Sequence, residues 1–173
     1  METKFTESDI QRLLVQRYIG GGCRRNLCVP NVSWGFFHSH EADLVCVTKS
    51  GYMTEYEIKR TWNDFLADFK KHTNHFENKV LCMYYVVPVE IAERCLEFMQ
   101  QYEWKMPYGE GLFDRQQMQI PVGLITYDQY GIFKRRLYAP NLNTYTQKPM
   151  QAFKLTQDQI HNLARLGVMR LWT

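Results

Sequence analysis

Two short stretches of the chain place carboxylates and a lysine among residues typical of a buried sheet. Residues 41–47 read EADLVCV and residues 55–59 read EYEIK. Burying an ionised carboxylate without a partner is strongly unfavourable, so such a cluster is usually paired with a cation or bound to a metal. The two stretches therefore raise two alternatives, a structural ion pair and a metal-dependent catalytic centre.

Strand alternation predicts which of these side chains share a face. In the second stretch Glu55, Glu57 and Lys59 point the same way, and in the first stretch Glu41 and Asp43 share a face. A tight serine-glycine turn between the two strands would bring Asp43 close to Glu57 or Lys59. We expect the opposite charge of Lys59 to lower the pKa of Asp43.

Two carboxylates that converge on one point can bind a hard cation such as Mg²⁺, which prefers carboxylate and phosphate oxygens. A bound ion lowers the pKa of a water and stabilises charge developing on a phosphate oxygen. A nearby ammonium group can orient that water or offset the same charge. The chemistry that this set predicts is hydrolysis of a phosphodiester bond.

The elements that must position these residues follow from the hydrophobic pattern. Apolar residues at helical spacing predict a first helix over about residues 7–19, capped by Thr6. Three strands in a meander follow, and the period then changes to an amphipathic helix with Asp68 off its apolar stripe. The remaining segments are a buried strand over 79–88, a helix over 89–102, a polar loop over 107–121, and a hairpin and closing helix from about residue 122.

The closing helix is expected to begin at Thr156 and to end before Gly167. A length of 173 residues predicts one α/β domain over 1–173, with a sheet covered by helices. The net charge of +3 permits a nucleic-acid partner without requiring one. Five cysteines without a CxxC pair indicate a reducing compartment, and the polar first residues and lack of a long apolar run predict a cytoplasmic protein without a membrane span.

Asp43 is followed, after thirteen residues, by the tripeptide 57–59 (EIK), and the two lie on consecutive predicted strands after a helix. This pattern resembles the PD-(D/E)xK signature of the restriction-endonuclease-like nuclease superfamily. The continuation into DFLADFKKH also resembles small bacterial and phage proteins of that superfamily, related to proposed DNA-repair nucleases. Ala42 stands where the motif has proline. The QxxxY element of the exonuclease-like branch is missing after Lys59, which argues against an end-processing exonuclease of that branch.

The resemblance covers about residues 7–130 and implies an αβββαβ core with a central mixed sheet flanked by helices. It implies Mg²⁺ or Mn²⁺ as the cofactor and DNA as the partner. Asp43 and Glu57 would be the metal ligands, Lys59 the catalytic lysine and Glu7 an accessory acid. Glu55 could supply the ligand in place of Glu57. The implied function is a metal-dependent nuclease of DNA repair or a mobile element.

Several alternatives stay open. His38 and His40 share a strand face and, with Asp43, would offer zinc ligands, or they are strand-end histidines at a cleft. Glu41 is a further candidate acid. The basic residues nearest the site either suit local structure or contact DNA phosphates; they are Lys70, Lys71, Arg24, Arg25 and the run 134–136. The runner-up function is a catalytically inactive DNA-binding or assembly module, and the oligomeric state, including a homodimer, is left open.

Overall fold

One mixed sheet of six strands forms the centre of the protein. The computed structural model describes residues 5–33, 36–37, 40–70, 79–104, 120–143 and 148–170. The strands lie in the sheet in chain order, and they are β1 (Leu27–Val32), β2 (Ala42–Val47), β3 (Met53–Ile58), β4 (Val80–Pro88), β5 (Gly123–Tyr127) and β6 (Phe133–Leu137). Strands β3, β4 and β5 run parallel, and the other neighbours are antiparallel. The predicted meander and C-terminal hairpin are confirmed.

Helices flank this sheet. They are α1 (Glu7–Leu13), which continues as a π-helical turn (Leu14–Tyr18), α2 (Gly22–Arg25), α3 (Trp62–Lys70), α4 (Ala92–Gln101) and α5 (Gln157–Met169). Short 3₁₀ turns precede α4 and α5. The α/β class and the order αβββαβ from α1 to β4 are therefore confirmed. None of the helices described here is long and apolar enough to cross a membrane.

Helix capping follows the sequence at both threonines predicted to begin a helix. The Thr6 side chain accepts a hydrogen bond from the backbone of Asp9, whose carboxylate bonds back to Thr6, and Thr156 forms the same kind of capping box. The prediction that Gly167 follows the last helix is wrong, because α5 continues to Met169. Gly167 instead lies against Val29 of β1, where an added Cβ atom would approach to 3.4 Å.

The two faces of the sheet carry separate apolar clusters. Helices α3, α4 and α5 cover one face, with Phe65 and Leu163 packed on Val45, Met83 and Tyr85. Helix α1 covers the other face, where its apolar residues pack on alternate residues of β2 to β5. Because side chains alternate along a strand, the acidic residues of β2 and β3 point to the α3 face.

Candidate functional site

Strands β2 and β3 place the predicted acids opposite one another. The antiparallel register pairs Val45 with Glu55, and its continuation sets Asp43 opposite Glu57 on the same face. The Oδ2 atom of Asp43 accepts a hydrogen bond of 2.7 Å from the backbone N–H of Ile58. The Asp43 carboxylate therefore lies against the backbone between Glu57 and the lysine that follows.

Lys59 lies at the centre of an ion-pair network. Its Nζ atom is 2.9 Å from Oε2 of Glu57 and 3.1 Å from Oδ1 of Asp68 on α3. The Tyr85 hydroxyl of β4 donates to Oδ2 of Asp68 at 2.8 Å. The Lys59 side chain is only 7% exposed, so two carboxylates hold this ammonium in the protein interior.

Asp68 belongs to this site, although the sequence pattern predicted that it lies off the apolar stripe of its helix. Only 5% of the residue is exposed. Asp68 follows the buried Phe65 by three residues, which puts both on the face of α3 that meets the sheet. That spacing is the signal by which the sequence could have identified it.

The charges of Asp43 and Lys59 respond differently to burial. Burial raises the pKa of Asp43 to about 6, and the lowering by Lys59 and by the Ile58 N–H does not offset it. The expectation that Lys59 would lower the pKa of Asp43 below its ordinary value is therefore wrong. Burial opposes the charge of Lys59 as well, but Glu57, Asp68 and Asp43 raise its pKa above the ordinary value. Lys59 is a fixed cation, and Asp43 is a group of the site that changes charge near neutral pH.

Glu55 has a different partner from Glu57. Its Oε1 atom lies 3.0 Å from Nε2 of His40, and both side chains are almost fully buried. The His40 ring also packs on Phe37, with 4.7 Å between ring centroids. This contact favours Glu57 over Glu55 as the acid beside Asp43 and Lys59. His38, the other histidine of the zinc alternative, lies outside the described residues.

Helix α1 reaches the site from the opposite face. The charge of Glu7, the predicted accessory acid, acts to raise the pKa of Asp43. The sequence did not identify Gln11, which is 6% exposed. Its Nε2 donates to the backbone carbonyl of Asp43 and to Oδ1 of Asn31, both at 2.7 Å. Gln11 follows Glu7 by one helical turn, which is the signal that relates them.

The other candidates lie outside this network. Glu41 is exposed, as are Lys70 at the end of α3 and the α2 residues Arg24 and Arg25. Lys71 falls outside the described residues. In β6 the basic run has local partners, since Arg136 ion-pairs with Glu93 of α4 and the Arg135 guanidinium stacks 3.4 Å from the centroid of Tyr138.

The donor chemistry fits a hard cation through Asp43 and Glu57. Among the residues that the structure describes, no three His, Cys, Asp or Glu side chains are grouped so as to hold an ion. Mg²⁺, however, is commonly held by one or two carboxylates and completes its shell with water and phosphate oxygens. Two opposed carboxylates on one sheet face meet that requirement.

Comparison with known proteins gives information on the fold and none on the chemistry of the site. No protein-family profile and no curated protein matches the chain. Among solved structures, the chain is similar to a protein of unknown function from Silicibacter pomeroyi, with a TM-score of 0.54 and 14% identity. The match covers 97% of this chain and 88% of that one. At this identity the likeness concerns the fold alone.

Proposed function

We propose that the protein is a metal-dependent nuclease that hydrolyses phosphodiester bonds of DNA. The observation that carries the proposal is the alignment of Asp43, Glu57 and Lys59 on one face of adjacent strands, in the order of the PD-(D/E)xK signature. The αβββαβ element order that precedes β5 supports the same reading.

Asp43 and Glu57 would hold Mg²⁺ or Mn²⁺. When bound, the ion supplies positive charge to the scissile phosphate and lowers the pKa of a water. Lys59 stays protonated near neutral pH, because three neighbouring carboxylates raise its pKa. Its role is therefore to offset charge on the phosphate or to orient the water, and not to accept a proton. Asp68, 3.1 Å from the Lys59 ammonium, would keep that group in place if Glu57 were a metal ligand.

The charge of Asp43 adds a pH dependence to this proposal. Since the folded protein has a pKa of about 6 at Asp43, the carboxylate is mainly protonated at lower pH. Metal binding requires the ionised form. We therefore expect both metal affinity and cleavage to fall as the pH decreases through about 6.

DNA is the proposed partner, with phosphate contacts from Lys70, Lys71, Arg24 and Arg25. Exposed cations such as Lys70, Arg24 and Arg25 attract a polyanion even when the net charge is only +3. The proposed setting is the cytoplasm of a bacterial or phage-infected cell, in DNA repair or in a mobile element.

The ion pairs of Lys59 favour a second candidate, a catalytically inactive DNA-binding or assembly module. In that case Glu57, Lys59 and Asp68 are a buried structural network, and no metal is needed for function. The two candidates differ in whether Asp43 binds a metal.

A cleavage assay with Mn²⁺ over single-stranded, duplex and branched DNA tests the proposal. Wild type should cleave at least one form, and Lys59→Met and Asp43→Asn should not. Glu41→Gln, a substitution of an exposed acid two residues before Asp43, should cleave normally. Mn²⁺ should also raise the thermal midpoint of wild type, and Asp43→Ala should abolish that shift.

Two results would reject the nuclease. Cleavage by Lys59→Met at the wild-type rate would contradict the role of the lysine. If wild type cleaves no DNA and Mn²⁺ leaves its thermal midpoint unchanged, the inactive module is the better description. Circular dichroism of each variant separates loss of folding from loss of activity.

A further inference from the structure

Three cysteines gather where β1, β2 and α2 meet. Cys28 on β1 and Cys46 on β2 are direct partners in the antiparallel register. Their Sγ atoms are 3.0 Å apart, with the Cys46 thiol donating to Cys28. Cys23 on α2 is exposed, and its thiol interacts electrostatically with that of Cys28. A thiol cluster of this kind has no role in the proposed nuclease.

The geometry points to Cys28 and Cys46 as a dithiol that hydroperoxides oxidise to a disulfide joining β1 to β2. Directly opposed residues of antiparallel strands have Cα atoms about 4.5 to 5.5 Å apart, which lies within the range of about 4.4 to 6.8 Å found in disulfides. The strands therefore need not separate for the bond to form.

Cys28 is suited to be the attacking thiol. Hydrogen bonds from Cys46, and more weakly from Cys23, lower its pKa despite its burial, and a thiolate is the nucleophilic form. Cys28 is half-buried, whereas its partner Cys46 on the neighbouring strand is buried. The hydrogen bond to Cys28 and burial raise the pKa of Cys46, so this thiol keeps its proton.

The chemistry balances with a hydroperoxide as the oxidant. The Cys28 thiolate attacks one peroxide oxygen, the O–O bond breaks, and Cys28 becomes a sulfenic acid. The leaving alkoxide takes the proton that the Cys28 thiol had released and departs as an alcohol, or as water when the oxidant is hydrogen peroxide. The Cys46 sulfur then attacks the sulfur of Cys28, and the S–O bond breaks. The released oxygen takes the Cys46 proton and leaves as water. Overall, two thiols and one hydroperoxide give one disulfide, one alcohol and one water.

The remaining cysteines provide internal comparisons. Burial raises the pKa of Cys82 to about 11 and that of Cys95 to about 12. The Cys82 thiol donates to Asn141, and Cys95 is a core residue of α4. Neither should react under conditions that oxidise the pair. The pair also points to the sheet face opposite Asp43, so the inference does not rest on the proposed nuclease.

The test uses the reduced, full chain in a metal chelator, treated with about one equivalent of hydrogen peroxide. Remaining thiols are alkylated, and mass spectrometry of the digest locates the modified cysteines. The expected result is loss of two of the five thiols, with Cys28 and Cys46 in one cross-linked peptide pair. Dithiothreitol should restore both thiols.

Variants and a denaturant control make the result decisive. In Cys46→Ala the cross-link should disappear, and dimedone should label Cys28 as a sulfenic acid. The control variant Cys82→Ala should still form the cross-link between Cys28 and Cys46. In concentrated urea the preference for this pair should be lost. A wild-type cross-link between Cys23 and Cys28, reaction of all five thiols at similar rates in the folded protein, or no reaction at all would overturn the inference.

Discussion

Replacing Asp43 by asparagine should stabilise the protein at neutral and alkaline pH. Burial makes the ionised carboxylate unfavourable in the folded state, and it raises the pKa of Asp43 to about 6. Asparagine removes the charge and still offers an oxygen to the backbone N–H of Ile58. If Asp43 were retained only as the partner of an ion pair, the same change should destabilise the protein instead.

The magnitude follows from the shift in pKa. Asp43 goes from an ordinary value of 3.8 to about 6, and each unit corresponds to about 1.4 kcal/mol, so the penalty reaches about 3 kcal/mol. Because Asp43 is partly exposed, solvent screening reduces this to about 1 to 3 kcal/mol. For a protein of this size, that is roughly 2 to 12 °C in the thermal midpoint.

The pH dependence has a definite sign. Below the unfolded pKa, Asp43 is protonated in both states and its folded form carries no penalty. As the pH rises toward the folded value of about 6, the unfolded state ionises while the folded state holds its proton, so wild-type stability is lost. The gain in free energy of unfolding of Asp43→Asn over wild type should therefore grow between about pH 4 and 6 and then level off.

Urea unfolding in a metal chelator measures this difference. Wild type, Asp43→Asn and the exposed control Glu41→Gln are compared at about pH 4.5 and about pH 8. We expect the stability gain of Asp43→Asn over wild type to increase by about 0.6 to 2 kcal/mol between the two pH values, because about a third of the penalty is already present at about pH 4.5, and to increase by more than that of Glu41→Gln. If Asp43→Asn is less stable than wild type by a similar amount at both values, the argument from burial is refuted.

Three further predictions concern the surroundings of the site. Lys59→Met should lower the free energy of unfolding by about 3 to 5 kcal/mol near neutral pH, because it leaves buried carboxylates without their cation. Urea titration tests this, with Lys70→Met as the control, and an equal loss of stability at about pH 4.5 would contradict it. Tyr85→Phe should lower the free energy of unfolding by about 1.5 to 3 kcal/mol, because it removes the hydrogen bond from the Tyr85 hydroxyl to Asp68. Unchanged stability in the same titration would argue against that hydrogen bond. Gly123→Ala should cost at least about 1 to 3 kcal/mol, because its Cβ would lie 2.3 Å from a ring carbon on β4; an unaltered thermal midpoint would show that the strands can adjust.

Local patterns in the sequence were sufficient to predict the acids of the two central strands. Alternation and a tight turn fix which residues of β2 and β3 share a face, and that is enough to oppose Asp43 and Glu57. Capping chemistry is equally local, so Thr6 and Thr156 could be identified as helix starts.

The missed features depend on how distant elements pack. Asp68 completes the Lys59 network only because α3 lies across that part of the sheet, and Gln11 reaches Asp43 only because α1 covers the other face. The raised pKa of Asp43 depends on the depth of burial, which decides whether desolvation outweighs the attraction of a neighbouring cation. Gly167 was misread because a local preference for a helix end does not show that packing on β1 carries α5 past this residue.

The packing of α5 on β1 has a consequence for folding during synthesis. Leu163 is buried against the sheet, and the Arg170 guanidinium donates to the carbonyl of Asn31, 139 positions earlier in the chain. At ribosomal rates of about 5 to 20 residues per second, roughly 7 to 28 s separate the two partners. For that time the apolar face of β1 that includes Val29 lacks the helix that covers it, so this apolar surface stays exposed while the chain is being made. Burial of this face must therefore follow translation of α5, and this late contact is where a ribosome-associated chaperone would have most effect on yield.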